Sequence, residues 1–321
     1  MNTKRGFTLI EILTVVVIIG ILATIVTVAV AGALRAAQRA RISVQMNQIA
    51  TALEQYKNEF GEYLPDMFDD DALVRHVKKR WPRLDFSRKP PGINDAEYIR
   101  RAINAGYGNA VDFAVDFTVT GSQIGALAFW LGGFPNAEGK LSGFSADPEN
   151  PFFANPPVPP VPIDERVYDN KVFVNWEIGN DKSVRLSPVG DVPSASGPFV
   201  PVVGTEIRGV FVPFVYFRGS ISGGPDAYVH AANDRRMAKN FNFSDFGFGF
   251  CVPYIEEGSE RDVKWKNPTT FQLIHPGLDG RFGETEPRTR RVIKSGEGIG
   301  FDDLDNITNF SDYKELKSIL P

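Results

Sequence analysis

From Ile12 to Leu34 the chain carries no charged residue, and one acidic side chain, Glu11, stands at the mouth of that run. The run exceeds the roughly 18 apolar residues that mark a membrane-spanning helix. A secretory signal peptide has a shorter apolar core, about 7–15 residues, with its cleavage site after the core. Here the acidic residue comes before the core. Glu11 is therefore an ionisable group set where hydrocarbon is expected. That position costs on the order of a few kcal/mol at a bilayer centre and implies a function with a definite partner. Lys4, Arg5 and Gly6 precede Phe7. A cut between Gly6 and Phe7 would create an α-amine four residues before Glu11, the spacing at which neighbours on a helix face meet. A plain signal anchor would fit the length of the run but would need neither Gly6 nor Glu11. Basic residues lie on both sides of the run, Lys4 and Arg5 before it and Arg35, Arg39 and Arg41 after it, so the positive-inside bias does not fix the orientation.

The segment Gly6-Phe7-Thr8-Leu9-Ile10-Glu11 resembles the processing site of type IV pilins and of the pseudopilins of type II secretion. The resemblance implies that a leader, Met1 to Gly6, is removed at the cytoplasmic face by a prepilin peptidase and that the Phe7 amine is methylated. It implies that Glu11 neutralises the Phe7 amine of a neighbouring subunit as subunits stack into a helical filament. The location it implies is single-pass in the bacterial inner membrane, with the head in the periplasm and the filament extending outward. The implied partners are other pilin or pseudopilin subunits, the peptidase, an inner-membrane assembly platform and membrane lipid.

The helical pattern continues past the apolar run. Ile42, Met46, Ile49, Leu53, Tyr56 and Phe60 form one stripe at spacings of four and three, and Arg35, Arg39, Arg41, Gln45, Lys57 and Glu59 lie off it. Gly61 is a stop and Pro65 lies beyond. A helix from Phe7 to Phe60 would be about 80 Å long at roughly 1.5 Å per residue, an anchor joined to a half-helix packed on a globular head. Gln48 to Lys57, followed by Phe60-Gly61-Glu62-Tyr63-Leu64-Pro65, is similar to the end of the pseudopilin helix and the loop after it. The family pattern there is Gly-x-Tyr-Pro, and Leu64 is an extra residue. A second departure is Val28, where many pilins have a helix-bending proline. The organisation expected is a leader over 1–6, a helix over 7–60 whose part 7–34 is the transmembrane and filament-core segment, and a head over 61–321 of the α+β class with a mostly antiparallel sheet.

Within the 321 residues there is a single cysteine, Cys251, so no intrachain disulfide is available, and its apolar neighbours suggest a buried structural thiol. The net charge of −4 is mildly acidic and gives no general case for nucleic-acid binding. The abundance of Phe suits a β-rich head. A basic stretch, Arg75, Lys78, Lys79, Arg80 and Arg83 with Trp81 inside it, reads either as a solvated helix face or as a contact for an anionic lipid or DNA strand. Glu97 to Ala105 reads as a helix ended by Gly106. The expected strands are Val111 to Val119, Ile124 to Leu131, Val172 to Ile178, Val200 to Val203 and Val210 to Phe217, the last of them central. Asn155 to Pro162 is proline-rich and reads as an extended connector, and Gly219 to Pro225 as a turn.

The C-terminal part has a second pattern. Phe271 to His275 reads as a strand turning at Pro276-Gly277 and Asp279-Gly280, and Asp302, Asp303, Asp305 and Asn306 crowd a later segment. Calcium takes about six to eight oxygen ligands from such groups. The arrangement resembles the calcium loop of major pseudopilins, which implies Asp279, Asp303 and Asp305 as carboxylate ligands with the Pro276 carbonyl contributing. Read as residues alone, these are equally a pair of acidic turns whose charge Arg288, Arg290 or Arg291 neutralises.

Signals for catalysis are sparse. No two of His76, His230 and His275 stand at a metal-ligand spacing, and no nucleophile elbow or phosphate-binding glycine loop is present. The function expected is a structural, non-enzymatic filament subunit. Two alternatives remain: a minor adhesive or DNA-binding pilin, marked by salt-sensitive DNA binding, and an exported enzyme on a pilin-like anchor, marked by a deep polar pocket in the head.

Overall fold

A computed structural model describes residues 8–107, 124–154, 160–179, 183–188, 199–229, 239, 241–243, 249–259, 262–283 and 291–321. The chain forms two compact units, Met1–Arg41 and Ile42–Pro321. One helix, α1 (Leu9–Phe60), runs through both, and Val28 sits inside it. Burial begins at Ile42, and the second unit claims Ile42, Met46, Ile49, Leu53 and Tyr56, the stripe expected from the sequence. Leu53 is fully buried, so Leu53→Ala should cost about 2–5 kcal/mol. The helix stops at Gly61, whose φ of +77° is left-handed and favours glycine. Lys79 Nζ donates to the Phe60 carbonyl at 2.5 Å, satisfying one of the terminal acceptors.

Two further helices begin at side-chain caps. Asp69 caps α2 (Asp70–Arg80) and Asn94 caps α3 (Asp95–Gly106), each accepting a backbone N–H from the first turn. A fourth, α4 (Ala126–Gly132), is buried along its whole length. It replaces the strand expected over Ile124 to Leu131. A short, wholly apolar run has no periodicity to separate the two forms, and its Ala and Leu favour helix.

The strands are short, and those that pair do so antiparallel. β1 (Val184–Pro188), β2 (Phe199–Ile207) and β3 (Val210–Pro213) form one sheet in that order. A second sheet has the order β10-β9-β4, built from β4 (Val215–Arg218), β9 (Phe271–His275) and β10 (Ile307–Thr308). Among the described residues two more antiparallel pairs occur: β5 (Phe241–Phe243) with β6 (Gly249–Cys251), and β7 (Ile255–Ser259) with β8 (Asp262–Trp265). The architecture is α+β, as expected.

The run Val210 to Phe217 is not one central strand. It divides into β3 and β4, each at the edge of a different sheet. Phe214, just after Pro213, still donates to the Val203 carbonyl of β2 at 2.9 Å, and from Val215 the chain pairs with β9 instead, Val215 opposite Ile274. Val172 to Ile178 forms turns with isolated bridges, Lys140 to Glu177 and Ile178 to Val184, rather than a strand. Val111 to Val119 and most of Asn155 to Pro162 lie outside the described residues.

A buried polar network ties the end of α1 to the head. Tyr56 Oη donates to His76 Nε2 at 2.5 Å, and His76 Nδ1 donates to Glu62 Oε1 at 3.0 Å. Arg218 Nη2 donates to Glu62 Oε2 at 2.7 Å. Asp66 Oδ2 accepts from the Arg218 backbone N–H at 2.8 Å and from Lys239 Nζ at 2.7 Å. Burial holds His76 neutral by lowering its pKa, against the pull of Glu62. Burial also opposes the charge on Glu62, but His76 and Arg218 outweigh it and hold that carboxyl at about 2.

A folded-state pKa below the unfolded value makes the contribution of His76 complete above pH 6.5 and lost as the pH falls below it. Glu62 adds a second loss from pH 4.5 downward. Buried His275, lowered to about 3, acts in the first window too. These groups act to lower the thermal midpoint on acidification below pH 6.5, a slope that the carboxyls of Asp279, Asp303 and Asp305, raised by burial, oppose. His76→Gln should reduce that slope without abolishing it and cost about 1–3 kcal/mol at neutral pH. An unchanged slope would contradict the assignment.

Candidate functional site

The N-terminal part of α1 has apolar side chains all round. Every Val, Ile and Leu from Leu9 to Leu34, such as Ile12, Val16, Ile19 and Ile25, is at least 50 % exposed. Its three threonines return their hydroxyls to the helix: Thr14 to the Ile10 carbonyl at 2.8 Å, Thr24 to Gly20 at 2.9 Å and Thr27 to Ala23 at 2.8 Å. No hydroxyl along this stretch needs water, the condition hydrocarbon imposes. Among the described residues α1 is the one helix long and apolar enough to cross a membrane.

Glu11 sits in the first turn, and a local partner holds it. The Thr8 N–H and Thr8 hydroxyl both donate to Glu11 Oε2 at 2.8 Å, and the Glu11 N–H donates back to Thr8 Oγ1 at 3.3 Å. This is a capping box, Ser or Thr followed three residues later by Glu. Thr8-Leu9-Ile10-Glu11 carries its signature, a signal the family resemblance overshadowed. In the single chain Glu11 thus closes its own helix end, where the positive end of the helix dipole favours an acid. Gly6 and Phe7 lie outside the described residues.

Residues 1–27 match the prokaryotic N-terminal methylation motif. The chain has a pilin-type N terminus. That signature marks a protein processed by prepilin peptidase and N-methylated, and with the apolar helix it fits membrane anchoring and assembly with other pilin subunits. No curated protein and no solved structure matches the chain. The pilin-type likeness is that of residues 1–27.

The acidic residues of the C-terminal part separate into two groups. Asp305 Oδ2 accepts the backbone N–H groups of Leu278 at 2.8 Å and Asp279 at 3.1 Å. Asp279 Oδ1 accepts the Arg281 N–H at 2.7 Å. Partial burial, then the charges of Asp305 and Asp302, push the Asp279 carboxyl up to about 7, and burial raises Asp305 as well. Pro276 is buried in the same turn. Gly277, with φ of +70°, has no space for a side chain, since a Cβ there would lie 2.2 Å from the Asp305 carbonyl oxygen.

Asp303 belongs to the second group. It is fully buried, and Arg291 Nε lies 3.0 Å from its Oδ1 with both side chains removed from solvent. Tyr254 Oη at 3.2 Å and Asn306 Nδ2 at 3.3 Å donate to the same oxygen, and the Gly300 N–H donates to Oδ2 at 2.9 Å. Among the described residues no three His, Cys, Asp or Glu side chains converge to hold a metal ion. Asp303, with its oxygens taken by a guanidinium and three other donors, does not fit the three-carboxylate calcium set. Of the arginines considered from sequence as neutralising groups, Arg291 takes this role, while Arg288 and Arg290 lie outside the described residues.

Arg75, Lys78, Lys79 and Arg80 of the basic stretch lie on α2, and each has a partner in the chain, Arg75 at 3.8 Å from Glu62, whereas Arg83 follows the helix. Lys78 pairs with Asp95 at 2.8 Å and Lys79 caps α1. Arg80 lies over the rings of Phe60 at 4.5 Å and Phe144 at 4.3 Å and donates to Tyr56 Oη at 3.1 Å. Trp81 is buried against Phe144 and Phe152. Cys251 is buried, and burial raises its thiol pKa far above the usual value. For the N-terminal motif, Gly6→Val should leave the leader attached. Intact mass of membrane-extracted chain should then show only the full-length species, whereas continued removal of residues 1–6 would place the processing site elsewhere.

Proposed function

We propose that this chain is a structural, non-enzymatic pilin-like subunit of the bacterial inner membrane. After leader removal at Gly6–Phe7 it polymerises into a helical filament serving type II secretion or a pilus, with its head on the periplasmic side. The observation that carries this reading is the pairing of a methylation motif with an apolar half-helix that nothing in its own unit covers. Lipid covers such a helix in the waiting subunit, and copies of the same helix cover it in the filament.

The step between those states turns on Glu11. In the free subunit it lies near the helix start, within about one turn of the interface by rise, and Thr8 satisfies it. In the bundled core its charge is tolerated when paired, and the methylated Phe7 amine of a neighbour is the cation that cleavage supplies. The pair sets the axial register of one subunit on the next. The partners are other pilin or pseudopilin subunits, the peptidase and the assembly platform.

Glu11→Ala should leave membrane insertion and leader cleavage intact while abolishing assembly. Fractionation followed by filament counting by electron microscopy reads both properties. Wild-type filament yield from Glu11→Ala would refute the pairing role.

A further inference from the structure

We propose that the C-terminal part of this head is closed by an internal guanidinium, that of Arg291, where the resemblance calls for a metal ion, so that folding of the head is independent of divalent cations. The argument begins with what a bound cation does in such a turn: it gathers oxygens from separate chain segments around one positive charge. Arg291 gathers such a set. Its Nη2 donates to the Phe250 carbonyl in β6 at 2.8 Å and to the Phe282 carbonyl at 2.6 Å, and its Nε faces Asp303 Oδ1 at 3.0 Å. The backbone of the same residue accepts the Ile255 N–H at 2.9 Å, which adds the start of β7. One side chain thus joins β6, the segment after β9 and the segment before β10. A planar fork of N–H donors suits carbonyl and carboxylate oxygens held at fixed angles.

Packing against the pair is tight at Gly283. Gly283 has φ of +105°, and a Cβ built there would stand 2.8 Å from Arg291 Nη2 and 2.9 Å from Asp303 Oδ2. Both Asp303 oxygens have donors already. What remains of the expected ligand set is Asp279 and Asp305: Asp279 Oδ1 and Asp305 Oδ2 accept backbone N–H groups, which leaves Asp305 Oδ1 as the one buried carboxylate oxygen of the two without a donor. Two carboxylates in that state fall short of the roughly six to eight oxygens calcium requires. A guanidinium differs from an ion in a further respect. It is covalently held and cannot be removed by a chelator or by dilution.

The test uses the leader-cleaved full chain in detergent, with thermal unfolding followed in millimolar calcium and in EGTA. The wild-type midpoints should coincide, because a ligand that binds only the native state must raise its midpoint. Arg291→Met should lower the midpoint by several degrees equally with calcium and with EGTA, since it leaves Asp303 buried without its counter-charge. The double variant Arg291→Met, Asp303→Leu should recover most of that loss. Replacing both members of a buried ion pair by apolar groups is often neutral, whereas removing one is costly. A wild-type midpoint raised several degrees by calcium would overturn the proposal, and so would an Arg291→Met midpoint equal to that of wild type. Should Arg291→Met fail to fold, the wild-type calcium comparison still decides, and a double variant that also fails to fold counts against the proposal. None of these readouts depends on filament assembly.

Discussion

The constraint that governs this molecule is an apolar helical surface that its own unit leaves uncovered. Fully burying a Val, Leu or Ile side chain is worth about 1.5–3 kcal/mol, and from Leu9 to Leu34 such side chains stand open on every face of α1. Water is excluded as their resting environment. In the proposed function, lipid and a bundle of like helices take its place, and they are nearly equivalent for an apolar side chain, because lipid tails are as apolar as leucine. The choice between them then falls to whatever polar group the segment carries. That group is Glu11, and in the single chain it is occupied by Thr8 at its own helix end.

The head answers a different requirement, that of holding the second part of the same helix. The stripe from Ile42 to Tyr56 is part of the larger hydrophobic core. Around its end, polar groups serve as fasteners: Lys79 on the Phe60 carbonyl, and the Tyr56–His76–Glu62–Arg218 chain that reaches to β4. Elsewhere in the head the fully buried Arg291–Asp303 pair joins segments distant in sequence. These fasteners join parts of the chain far apart in sequence, as suits a head built from sheets of two or three strands.

What was legible in the sequence follows from which interactions are local. The length of the apolar run, the 3.6-residue stripe through Leu53 and Tyr56, and the stop at Gly61 depend on near neighbours, and α1 follows them. The strand-then-turn over Phe271 to Gly280 is local as well. The apolar run now forming α4 was ambiguous because burial on all sides erases the polar face by which period is recognised. The split of Val210 to Phe217 between two sheets is a change of pairing partner, from β2 to β9 after Phe214, which length and hydrophobicity do not register. The partners of Asp303 were the least legible. Tyr254 and Arg291 are brought to it by tertiary folding, and an acidic cluster alone does not distinguish a metal from a guanidinium as its counter-charge.

The central claim is that copies of this helix cover one another and that a Glu11–amine pair sets their register. A reconstruction of the assembled filament at side-chain resolution tests it most directly. The account predicts the segments from Leu9 to Leu34 bundled at the axis, with each Glu11 carboxylate in hydrogen-bond contact with the Phe7 amine of an adjacent subunit. An assembly held by its heads alone, with these segments apart and Glu11 still bonded to its own Thr8, would contradict it.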